Sequence, residues 1–173
     1  MPVVESISEQ LSSLHLSEEI TEEVIACARY GELSELENIL KSYPIAYLAS
    51  RDTFGNTALH MASANGHTKI VEYIIQTLKT LESDIVNAQN ELGNTSLHWS
   101  SLNGHIEIVT LLISNGADVK IKNKAGRTAI YEAQQNNHEK VVEYLLSKME
   151  PEKEPNGEDA NGEDANGEDA NRS

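Results

Sequence analysis

Apolar residues recur in adjacent pairs four apart: Ile70/Val71 with Ile74/Ile75, Ile108/Val109 with Leu112/Ile113, and Val141/Val142 with Leu145/Leu146. Pairs at i, i+1, i+4 and i+5 fall on one stripe of a helix, so each set predicts an amphipathic helix with a single face to bury. Before each stripe stands a second recurring string, GNTALH at 55–60, GNTSLH at 93–98 and GRTAIY at 126–131, at offsets of 38 and 33 residues. Thr57, Thr95 and Thr128 suit an N-cap, where the hydroxyl accepts from an orphan amide of the first helical turn. Asn65-Gly66-His67 and Asn103-Gly104-His105 follow, with the weaker Asn136-Asn137-His138. Gly66 and Gly104 suit the position that ends a helix in a left-handed residue. Each unit therefore reads as a capped helix, a turn and a striped second helix, and the repetition predicts an all-α repeat solenoid.

The strings Thr57-Ala-Leu-His60-Met-Ala62 and Thr95-Ser-Leu-His98-Trp-Ser100, with Gly116-Ala117-Asp118-Val119 at a unit end, resemble the ankyrin repeat family and its TPLHxA signature. Ala58, Ser96 and Ala129 stand in place of the usual proline, and Tyr131 in place of the third histidine. Gly31, 35 residues before Gly66, closes a degenerate first unit with Leu33, Leu36, Ile39 and Leu40. That makes three clear units and an N-terminal capping unit. Five extra residues fall within 77–90, either a tolerated surface loop or an insertion on the binding face.

The resemblance implies that the turn tips and the ends of the first helices carry the ligand surface. In this chain it points to a concave, protein-binding face of Phe54, Asn56, Asn65, Leu92, Asn94, Trp99, Leu102, Asn103, Lys124 and Arg127. Phe54 and Leu92 are apolar where tips are usually polar, and with Trp99 and Leu102 they form the expected contact centre. Packing against the adjacent turn, and for Trp99 packing at the core edge, are the competing readings.

Composition adds a charge pattern. Lys and Arg total 13 against 28 Asp and Glu, a formal net charge of −15. The excess is uneven: −7 over residues 1–50, −1 over 51–149 and −7 over 150–173. Such a chain is repelled by nucleic acid and anionic lipid, which argues against direct contact with either. After residue 149 the apolar residues end and NGEDA is written three times, which predicts an acidic, disordered tail. The expected division is an N-terminal segment 1–17, a repeat domain 18–149 and the tail 150–173. Val3, Val4, Ile7, Leu11 and Leu14 have a spacing that permits a short helix in the first of these.

Catalytic chemistry finds no support. His60/His67 and His98/His105 are separated by helix-ending glycines, and the resemblance assigns these histidines to bonds between turns. Cys27, the lone cysteine, sits in an apolar run and reads as a small buried residue; with no disulfide and no signal peptide, the chain reads as intracellular. No catalytic, cofactor or metal site is expected. Within the family, the likeness is to small chaperones of a small-subunit ribosomal protein. It implies a monomeric, non-enzymatic binder in cytoplasm and nucleus, whose partner is a newly made basic ribosomal protein. A generic adaptor between signalling or transcription partners is the alternative.

Overall fold

The computed structural model describes residues 17–79 and 84–149. The segment 1–16, with its apolar positions from Val3 to Leu14, and the tail from 150 lie outside them. Among the described residues eight α-helices form four antiparallel pairs: α1 (Glu18–Tyr30) with α2 (Leu33–Ser42), α3 (Ala58–Ala64) with α4 (Thr68–Leu78), α5 (Ser96–Leu102) with α6 (Ile106–Ser114), and α7 (Ala129–Gln135) with α8 (Glu139–Lys148). Short 3-10 turns at Ile45–Ala49 and Ile85–Asn87 lead into the second and third units. The first helices of the pairs stack α1 on α3 on α5 on α7, and behind them α4, α6 and α8 form an outer row.

One core runs the length of the stack. Val24, Leu36, Leu59, Ile70, Ile74, Leu97, Ile108, Leu112 and Leu145 are all buried. In the last unit the second member of each apolar pair loses its cover: Val141 and Leu145 are buried, but Val142 is half-buried and Leu146 exposed. Among the described residues no further unit packs on them.

Local capping fixes where the inner helices start. Thr57 and Thr95 each accept from the amide of the third helical residue, while that residue's imidazole (His60, His98) accepts from the threonine amide, a reciprocal capping box. The degenerate first unit starts instead at Ser17, whose hydroxyl accepts from the Ile20 amide at 3.4 Å. The inserted stretch stays attached through Asn87, whose amide donates to the Gly116 carbonyl (3.0 Å) and whose Oδ1 accepts from the Asp118 amide (2.8 Å).

Candidate protein-binding face

Three hairpins, one ahead of each of α3, α5 and α7, line up along one edge of the array. In each, a short polar side chain at the start of the turn ties two amides of the tip. Asp52 Oδ1 accepts from Phe54 and Asn56, Asn90 Oδ1 from Leu92 and Asn94, and Asn123 Oδ1 from Ala125 and Arg127, all at 2.8–3.1 Å. The hairpins are then bound to one another. Asn90 donates its amide to Asn56 Oδ1 and Asn123 donates to Asn94 Oδ1, both at 2.8 Å. The main-chain amides of Glu91 and Lys124 donate to the carbonyls of Phe54 and Leu92 at 2.9 Å. Arg51 bridges to the Gln89 carbonyl (2.7 Å), and Gln89 repeats the bridge to Lys122 (3.2 Å). The tips thus form a continuous hydrogen-bonded rim.

Histidines join the same units at two levels. His60 Nε2 lies 3.0 Å from the Asn94 carbonyl and His98 Nε2 3.1 Å from that of Arg127. Because Nδ1 of each ring accepts from a threonine amide, Nε2 carries the proton and donates. Burial pushes His60 down to about 4 and lowers His98 as well, so both rings are neutral near pH 7. At the opposite ends of the inner helices, His67, His105 and His138 donate through Nε2 to the carbonyls of Arg29, Ala64 and Leu102 at 2.9–3.1 Å. The inter-turn role that the resemblance assigned to the histidines is the one they have. Cys27 is buried, and burial first, then neighbouring carboxylates led by Glu32, pushes its thiol up to about 11. Among the described residues no group of three or more His, Cys, Asp or Glu could hold a metal ion, and no helix is long and apolar enough to cross a membrane.

The ten residues proposed for the binding face divide by what they are free to do. Phe54 and Leu92 stand out at the tips, 70% and 63% exposed, so they do not pack against the adjacent turn. Lys124 is exposed and has no ion pair among the described residues. Arg127 is exposed, 5.2 Å over the Tyr131 ring and 3.9 Å from Glu132 Oε1. Asn56 is buried in the inter-hairpin rung, and Asn94 supplies the next one. Asn65 and Asn103 are exposed but spend their amides on main-chain carbonyls, Asn65 on Met61 at 2.9 Å and Asn103 on Ala64 and Trp99 at 2.9 and 3.1 Å. Trp99 and Leu102, half-buried on α5, line a cavity of about 130 Å³ together with Asn94, His98 and Glu132.

Two surface aromatics were missed. Tyr30, 68% exposed at the end of α1, occupies the place of Asn65 and Asn103 in the first unit. The offset from Gly31 to Gly66 contained that signal. Tyr131, in place of a histidine, cannot make the imidazole's reciprocal cap and instead lies on the surface under Arg127.

The face combines a rigid polar rim with isolated apolar side chains, suited to gripping a protein segment. Comparisons with known proteins agree with this shape. The family model described as Ankyrin repeats (3 copies) matches residues 24–123 and 85–159. An ankyrin repeat-containing protein of Schizosaccharomyces pombe is 46% identical over 101 residues, 58% of this chain and 66% of that protein. The ankyrin repeat-containing protein YAR1 of Saccharomyces cerevisiae is 39% identical over 76 residues, 42% of this chain and 38% of that protein. The chain therefore matches just under two thirds of the one relative's length and well under half of the other's. A chain in the crystal structure of the yeast ribosomal protein Rps3 in complex with its chaperone Yar1 is 40% identical; the superposition covers 79% of this chain and 99% of that one at a TM-score of 0.74. With four stacked helix pairs, capping boxes at the signature threonines and a family match over most of its length, the chain belongs to the ankyrin repeat family.

Proposed function

We propose that this protein is a dedicated chaperone that binds a newly made basic ribosomal protein of the small subunit, of the Rps3 type, and escorts it from cytoplasm to nucleus for ribosome assembly. The observation that carries this is the likeness, at 40% identity and over 99% of the matched chain, to a structure whose subject is Rps3 held by its chaperone. The charge distribution fits such a client. The last three units, 51 to 149, are nearly neutral at −1, while the stretches on either side, the first of them including the N-terminal helix pair, hold −7 each. Acidic ends steer a cationic client toward the array and disfavour its straying onto RNA. Exposed charges are damped beyond roughly 8–10 Å at physiological salt, so the apolar contacts of the concave face set the residence time. The work is binding; no reaction is assigned to the protein.

Affinity capture of the native protein followed by mass spectrometry tests this. One stoichiometric basic ribosomal protein is the expected result, with purified Rps3 binding directly and Phe54→Ala/Leu92→Ala weakening it by about tenfold. Recovery of a kinase, a ligase or a transcription factor in its place supports the adaptor.

A further inference from the structure

The cavity between α5 and α7 has a composition that the rest of the concave face lacks. Its wall is Trp99 and Leu102 from α5, its rim is Asn94 and His98, and Glu132 of α7 brings the one carboxylate. Glu132 is nearly buried, its side chain 12% exposed. Its Oε1 accepts from Asn123 Nδ2 at 3.3 Å and lies 3.9 Å from Arg127, whereas Oε2 has no hydrogen-bond partner among the described residues. That oxygen still meets solvent in the cavity and is open to a donor from outside. Arg127 answers it poorly, being half exposed, at the edge of ion-pair range and drawn toward the Tyr131 ring. His98 cannot help: its Nε2 proton is committed to the Arg127 carbonyl and burial keeps the ring neutral. The Trp99 indole N–H is buried without a partner, so no hydrogen bond fixes the ring.

We infer that this cavity is a subsite for one arginine side chain of the bound protein, its guanidinium on Glu132 Oε2 and its stem against Trp99 and Leu102. Arginine's apolar stem covers the indole while its planar head reaches the open carboxylate oxygen, so arginine uses both features at once, and lysine would use them less fully. The cavity's 130 Å³ admits one side chain rather than a helix. The inference rests on the basic client proposed above and names what the face recognises in it: a single arginine presented at the junction of the third and fourth units.

Trp99 is the only tryptophan of the chain, so its emission reports on the cavity with no substitution needed. Titration of the intact protein with N-acetyl-arginine amide is expected to change that emission saturably at millimolar concentration, and the isosteric neutral N-acetyl-citrulline amide is expected to leave it unchanged. Equal responses to the two, or none to either, overturn the subsite. In parallel, Glu132→Gln, which keeps an oxygen for Asn123, is expected to weaken Rps3 binding about tenfold without moving the thermal midpoint. If Rps3 binds the wild type and Glu132→Gln equally, the subsite falls and the chaperone stands. If Rps3 does not bind the wild type, the chaperone falls and the arginine titration decides the subsite by itself.

Discussion

His60 must be neutral for its two bonds to exist. Nδ1 accepts from the Thr57 amide at 3.2 Å, with the Thr57 hydroxyl 3.0 Å away, while Nε2 donates to the Asn94 carbonyl, and a second proton on the ring would displace the amide bond. Burial accordingly lowers the group from 6.5 to about 4. In the unfolded chain the ring keeps its ordinary value near 6.5, so as pH falls the unfolded state takes up the proton first. Stability is full above about pH 6.5, declines from there to about 4, and is then insensitive to this group. The span corresponds to roughly 3 kcal/mol for His60, and His98 moves in the same direction. Urea unfolding between pH 7.5 and pH 5 is expected to show the loss before most carboxylates titrate, and His60→Gln should flatten the curve. A stability that holds constant down to pH 5 would remove the argument.

Between one helix pair and the next, the joint is a ring laid on a glycine. A Cβ on Gly104 would come within 2.5 Å of His138 Nδ1, at a backbone φ of +73 that side chains rarely adopt. Gly126 shares the positive φ, +75, but a Cβ there would meet nothing within 4 Å. The expected costs separate the two effects. Gly126→Ala should lose about 1 kcal/mol from the backbone alone, and Gly104→Ala about 2–3 kcal/mol, because the imidazole must also leave the Leu102 carbonyl. Equal losses in chemical denaturation would show that the ring contact contributes nothing. This joint also shows what could be read in advance. The helix stripes, the capping threonines and the seven glycines outside the tail were legible because each follows from a local period or a local cap; all seven glycines do have positive φ. The rim was not, although Asp52, Asn90 and Asn123 recur at the same offsets as the tips, because a short polar residue before a turn has many uses. Its bonds to the next hairpin depend on a neighbour 29 to 34 residues away. For the same reason Phe54 and Leu92 were found as exposed apolar tips, whereas Asn56 and Asn94 resembled them by position and turned out to be rungs.

Taken whole, the molecule separates holding from attracting. From residue 51 to 149 the array provides fixed contacts at a net charge of −1, and −7 of the total −15 lies beyond residue 149. Truncation at Glu150 is therefore expected to slow association with Rps3 several-fold while leaving dissociation nearly unchanged, with the difference shrinking as salt rises. Stopped-flow kinetics that put the effect in the dissociation rate would reverse the assignment. The array also carries a record of where it stops. At its far end, among the described residues, Val142 and Leu146 are incompletely covered, Gly126 faces open space and the Ala125 carbonyl lacks the main-chain donor that Phe54 and Leu92 receive. A further copy would find nearly every socket it needs. The exception is Asn137, at φ +58 in the place where Gly31, Gly66 and Gly104 each receive an imidazole. Asn137 bears a side chain where those glycines have none, so copying an internal unit, in a genome or at the bench, would lengthen this protein readily, whereas adding one after the fourth would first call for that asparagine to become glycine.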